Sequence, residues 1–147
     1  MSLAYNTCTN IYQKVATNSS TPIQQIVMLY DGAIRFLNQA KKEIQSHDIP
    51  AKAVATDRAL AIVLYLRGIL DFESGGEVAK SLDQIYDFVT RQIIEASARL
   101  EIEPLDRCIE TLSTVREAWV ELAQRGAEEM APQAIAPSPS NVVYLRA

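Results

Sequence analysis

The chain has 147 residues, 48% of them hydrophobic, and a formal net charge of −4. That length predicts one domain with a true core, and an acidic balance with no Lys or Arg run beyond two residues excludes nucleic acid as a partner. The longest apolar run, residues 59–66, is too short to insert in a membrane, and residues 1–7 lack the regions of a cleaved signal, so a cytoplasmic (cytosol) setting is expected.

Only five glycines and six prolines interrupt segments rich in Ala, Leu, Ile, Glu, Gln and Arg, which predicts an all-α chain. Residues 1–20 are polar, with Ile11, Tyr12 and Val15 on one side of a helical turn. They read as an N-terminal arm or short helix that folds back on the body.

The first long helix is predicted over residues 22–46. Thr21 can cap it, Pro22 sits at its first position and Gln24 completes a capping box. Ile23, Ile26, Val27, Tyr30, Ile34, Leu37 and Ile44 make one apolar stripe, and Leu29, Ala33, Phe36 and Ala40 a second. Together they cover about half the circumference at roughly 100° per residue. Gly32 interrupts the helix and suggests close approach of a neighbour.

His47-Asp48-Ile49-Pro50 breaks the pattern, and a second helix is predicted to about residue 73. Its stripe is Val54, Ala61, Ile62, Tyr65, Ile69 and Phe72, while Leu60, Val63 and Leu64 point elsewhere. It is apolar nearly all round, as expected of a helix with one face in the core and another in a groove. Ser74-Gly75-Gly76 reads as the second break. The third helix, over residues 77–99, carries Val78, Leu82, Ile85, Val89, Ile93 and Ala96, with Tyr86 at the margin and Phe88 and Ile94 off the stripe. A fourth, over residues 104–125, has the one-sided stripe Leu105, Cys108, Ile109, Leu112, Val115, Trp119 and Leu122. Residues 126–147 hold four prolines and read as a flexible tail.

The expected architecture is an antiparallel up-and-down four-helix bundle over residues 21–125, with the arm and tail as additions. Its expected core includes Ile26, Tyr30, Ile34, Leu37, Ile62, Tyr65, Ile69, Leu82, Ile85, Val89, Leu112 and Trp119. The surplus apolar positions Leu29, Ala33, Phe36, Leu60, Val63 and Leu64 are left to line a groove. The single histidine, His47, falls in a loop, so metal bundles with paired Glu-x-x-His motifs and His-dependent triads have no residues to work with. Cys8 and Cys108 follow no metal or redox spacing and read as free thiols. No enzyme, cofactor or metal is expected. Asp31 and Asp71, beside the apolar surface, read as caps or as partners of Arg35 and Arg67.

A further pattern runs through these segments. Met28-Leu29-Tyr30-Asp31-Gly32-Ala33-Ile34-Arg35-Phe36-Leu37, preceded by Ser20-Thr21-Pro22, resembles the signature of the FliS family of flagellar export chaperones. Tyr12-Gln13, Leu70-Asp71-Phe72-Glu73-Ser74-Gly75-Gly76-Glu77, Ile85-Tyr86-Asp87-Phe88 and Arg116-Glu117-Ala118-Trp119 agree in order. Ser97 stands where the family pattern has Asn. The resemblance implies a cytoplasmic chaperone that holds the disordered C-terminal segment of flagellin, prevents premature polymerisation and, when loaded, meets the export gate of flagellar type III secretion. It also implies that Ile11, Tyr12 and Val15 cover the groove in the free state. The other reading of the same apolar surplus is a homodimeric scaffold.

Overall fold

The computed structural model describes residues 21–125. Four helices fill that span: α1 (Pro22–Gln45), α2 (Ile49–Gly68), α3 (Phe72–Arg99) and α4 (Glu103–Gln124). Each packs on the next and α4 returns to α1, giving the four-helix bundle that the periodicity predicts. The expected arm with Ile11, Tyr12 and Val15, and the expected tail, lie outside the described residues.

Local chemistry sets the helix ends. Thr21 Oγ1 accepts from the Gln24 N–H at 3.2 Å, and Gln24 Oε1 accepts from the Thr21 N–H at 3.1 Å, closing the capping box. Asp48 caps α2 by accepting from the Ala51 N–H at 3.1 Å. The second break differs from expectation. Asp71 Oδ1 accepts from the N–H groups of Glu73 and Ser74, at 3.1 and 3.2 Å, and so starts α3 at Phe72. Those bonds, from Ser74 above all, hold its carboxyl below the usual range. Phe72 therefore belongs to α3, not to the second helix, and is half-exposed. Gly75-Gly76 is a kink inside α3: Gly76 has φ 52° and ψ −127°, a backbone open to glycine alone, and regular helix resumes at Glu77.

Hydroxyl chemistry marks the middle of the bundle. The Tyr30 and Tyr86 hydroxyls, from helices diagonally opposed in the ring, lie 2.6 Å apart, and both side chains are fully buried. Burial pushes the Tyr30 phenol up to about 12, against the smaller opposing effect of its Tyr86 partner. Burial and the neighbouring Tyr30 oxygen raise Tyr86 too. The Trp119 indole N–H is buried close by without hydrogen-bond geometry to an acceptor. Cys108 donates to the Val89 carbonyl at 3.5 Å, and burial pushes its thiol up to about 12.

Around this centre Ile26, Leu37, Ile62, Leu82, Val89 and Leu112 are buried, while Ile34, Tyr65, Ile69 and Ile85 are half-buried at the margin. Leu29, Ala33 and Val63, expected in an open groove, are buried among them. The reason is the breadth of the contact. α1 and α2 share the broadest contact in the bundle, so each buries a wider arc than one stripe. Ion pairs reinforce two of the helix seams. Arg67 Nε meets Asp83 at 2.7 Å and its Nη1 meets Asp87 at 3.4 Å. Lys41 meets Asp106 at 2.6 Å, and Asp31 pairs with Arg116 of α4 rather than with Arg35. The buried Lys52 donates to the carbonyl and hydroxyl of Ser97, at 3.1 and 3.0 Å, near the C-terminus of α3, where positive charge is favoured.

These features generate three predictions. Gly76→Ala should lower unfolding free energy by about 1–3 kcal/mol in urea titration, because the alanine must hold a strained backbone. Tyr30→Phe or Tyr86→Phe alone should lose about 1–3 kcal/mol by orphaning a buried hydroxyl, with the double Phe variant less destabilised than the two losses added. Tyr30, Tyr86 and Cys108 keep their protons more tightly when folded. Their stabilising contribution is complete below pH 9 and is lost as pH rises toward 12, which alkaline unfolding followed by circular dichroism checks.

Candidate functional site

With Tyr30 turned to the bundle centre, the rest of α1 follows by rotation. Phe36 lies six residues on, roughly 120° round the helix. That places it at the seam with α2, half-buried. There an open groove of ≈ 440 Å³ runs between the two helices. α1 contributes Arg35, Phe36, Gln39 and Glu43, and α2 contributes Ala51, Val54, Ala55 and Arg58. The apolar floor is Phe36, Ala51, Val54 and Ala55. The walls are polar and unlike at the two ends, because antiparallel packing sets Arg35 beside Arg58 and Glu43 beside Ala51.

At the basic end two guanidinium groups share one ring. The Arg35 Cζ lies 5.1 Å from the Phe36 centroid and the Arg58 Cζ 5.7 Å from it, both in cation–π range. Arg58 Nε is buried with no acceptor. At the acidic end Glu43 Oε2 accepts from Gln39 Nε2 at 2.6 Å. No ion pair joins α1 to α2 among the described residues.

Of the residues expected to line a groove, only Phe36 lies in this one. Leu60 is two residues beyond Arg58, roughly 200° round α2, and so faces the other flank. That flank turns to α3, since Arg67, one heptad beyond Leu60, reaches Asp83 and Asp87 there. Leu60 is half-buried on it and Leu64 is 50% exposed. Leu29, Ala33 and Val63 are interior, as described above. The structure thus divides the expected set among a seam, an outer flank and the core.

Other apolar surface was expected elsewhere or missed. Phe88 and Ile94 of α3 are exposed, Ile94 to 54%, and both stand off the stripe in the sequence. Val78, placed on the stripe, is exposed as well, because the inward line of α3 runs through Ala79, Leu82 and Tyr86 and leaves Val78 beside it. Arg35, Val54 and Arg58 had no signal as a set, since their meeting depends on how α1 and α2 are rotated. Among the described residues no three His, Cys, Asp or Glu side chains are grouped to hold a metal, and His47 is exposed in the turn after α1. No described helix is long and apolar enough to cross a membrane. What the groove offers is a surface of apolar floor and charged edges.

Comparison with known proteins bears on what that surface serves. The family model described as flagellar protein FliS matches residues 4–126. A flagellar secretion chaperone FliS of Vibrio cholerae is 38% identical over 112 residues, 74% of this chain and 82% of that protein. The Salmonella typhimurium protein of the same name is 33% identical over 111 residues, 75% of this chain and 82% of its own length. The Pseudomonas aeruginosa flagellar secretion chaperone FliSB is 30% identical over 112 residues, 74% of this chain and 89% of its own length.

Proposed function

The chain belongs to the FliS family of flagellar proteins and is a flagellar export chaperone, and on that premise we propose that it binds flagellin through the disordered C-terminal segment. The segment becomes helical on binding and lays an apolar face against the bundle, the helix-in-groove mode of recognition. Holding it in the cytoplasm keeps flagellin from polymerising before export. The loaded complex then engages the export gate of the flagellar secretion apparatus. Binding and release need no covalent step, and the chain acts as a binder rather than an enzyme.

The observation that carries the binding half of this reading is unpartnered apolar surface bordered by charge. Phe36 sits in the α1–α2 groove, and Leu60, Leu64, Phe88 and Ile94 lie on α2 and α3 outside the core. Covering what these five side chains still expose is worth roughly 4–7 kcal/mol gross, since full burial of a large apolar side chain gives about 1.5–3 kcal/mol. Ordering a disordered partner offsets about 2–5 kcal/mol of it. The remainder suits a chaperone that must release its client, with the groove's polar edges adding specificity.

The exposed α3 residues Phe88 and Ile94 also favour a second reading, in which two copies of the chain bury them against each other as a homodimer. Sedimentation across concentration separates the two. A tight dimer indifferent to flagellin selects the second reading.

Titration calorimetry with monomeric flagellin tests the first. Intact flagellin should bind with a negative heat-capacity change, and flagellin lacking its C-terminal segment should not. Equal binding of both would remove that segment as the client. Leu64→Asp should weaken the binding of intact flagellin about tenfold while lowering unfolding free energy by no more than about 1.5 kcal/mol, since the side chain is already 50% exposed.

A further inference from the structure

The charges at the basic end of the α1–α2 groove are out of keeping with the rest of the molecule. Six other arginines are described, and every one has a polar partner. Arg67 and Arg116 pair across helix seams, Arg91, Arg99 and Arg125 pair with acids four residues before them, and Arg107 donates to Gln92 at 3.0 Å. Among the described residues Arg35 and Arg58 have none, and they lie against the same phenyl ring. Two like charges thereby share one ring in a chain whose net charge is −4. Arg58 Nε has also given up water without gaining an acceptor, which is an unfavourable state for a buried donor.

We propose that Arg35 and Arg58 form a carboxylate-recognition point, at which an Asp or Glu of the bound client segment is held while its neighbouring apolar side chain seats on Phe36, Val54 and Ala55. The inference rests on the client-binding reading above and adds its charge specificity. A carboxylate is the group that fits. It accepts from guanidinium N–H groups in a fork geometry, satisfies Arg58 Nε and relieves the repulsion between the two arginines. Contact with the Phe36 ring restrains both arginine side chains before the client arrives, so less side-chain freedom is lost when it does. Glu43, at the other end and already engaged by Gln39, makes the groove electrically polar. A client helix with its acid at the Arg pair is therefore favoured in one direction over the reverse.

The test follows the arginine Nε–H resonances of the full chain by NMR while monomeric flagellin is added, alongside calorimetry at low salt and at about 0.3 M. The expected result is a shift of the Arg35 and Arg58 signals, and affinity about tenfold or more weaker for Arg35→Gln/Arg58→Gln with a flatter salt dependence. Flagellin with the acids of its C-terminal segment changed to amides should lose a similar factor against the wild-type chain and almost none against the double variant. Arg35→Lys/Arg58→Lys, which keeps charge but not the fork, should fall between. Flagellin that binds without moving these signals, and equally well to the Gln variant, overturns the carboxylate point and leaves the chaperone reading intact. Wild-type chain that does not bind flagellin at all overturns both.

Discussion

The hydrogen bond between the Tyr30 and Tyr86 hydroxyls fixes how the helices of this bundle are rotated. It joins α1 to α3 across the centre, where few other polar groups are present, at 2.6 Å. Neither hydroxyl can turn away without being left buried and unsatisfied, so each helix has one azimuth that suits it. Once Tyr30 points inward, Leu29, Ala33, Leu37 and Ala40 pack inside with it, and Phe36 is carried to the seam with α2. Once Tyr86 points inward, Phe88 lies on the outside of α3. The exposed apolar side chains are thus a consequence of what the centre requires.

Polar pairs on the outside complement that centre. The α2–α3 seam is tied by Arg67 to Asp83 and Asp87, and the α1–α4 seam by Lys41 to Asp106 and Arg116 to Asp31. These pairs are partly exposed and each is worth little alone, but they favour one register of each helix on its neighbour. The α1–α2 seam has the broadest apolar contact and, among the described residues, no ion pair. Its arginines face the groove, with Phe36 between them. Several residues that carry the family resemblance, Tyr30, Asp31, Asp71, Tyr86 and Trp119, act within the fold as hydroxyl pair, ion pair, cap and core. The family signature therefore includes residues that hold the bundle together and, in Arg35 and Phe36, residues that line the groove.

Helix number, class and order were legible in the sequence because they depend on local chemistry. The capping box at Thr21 and Gln24 and the Asp48 cap need only neighbours along the chain. The second break was misplaced because Gly75-Gly76 carries the same signal whether it ends a helix or kinks one. The Asp71 cap decided between them by starting α3 earlier. The expected groove was partly legible. Phe36, Leu60 and Leu64 are at least partly accessible, while Leu29, Ala33 and Val63, which lie beside the main stripes, are buried. The α1–α2 contact is the broadest in the bundle and takes in a wider arc of each helix, and the period of 3.6 residues does not report how broad a contact will be.

By itself, then, the sequence determined that the chain is all-α, that four helices with short breaks between them form an antiparallel bundle, and that more apolar surface is present than one stripe per helix explains. Those features follow from backbone propensity, capping and periodicity, which are properties of residues close in the chain. Only the tertiary structure decided which apolar side chains are left over and which charges meet them. Arg35 and Arg58 come from different helices and reach one ring because the bundle centre sets the rotation of α1 against α2. That rotation is fixed by contacts between residues distant in sequence, which no local pattern encodes.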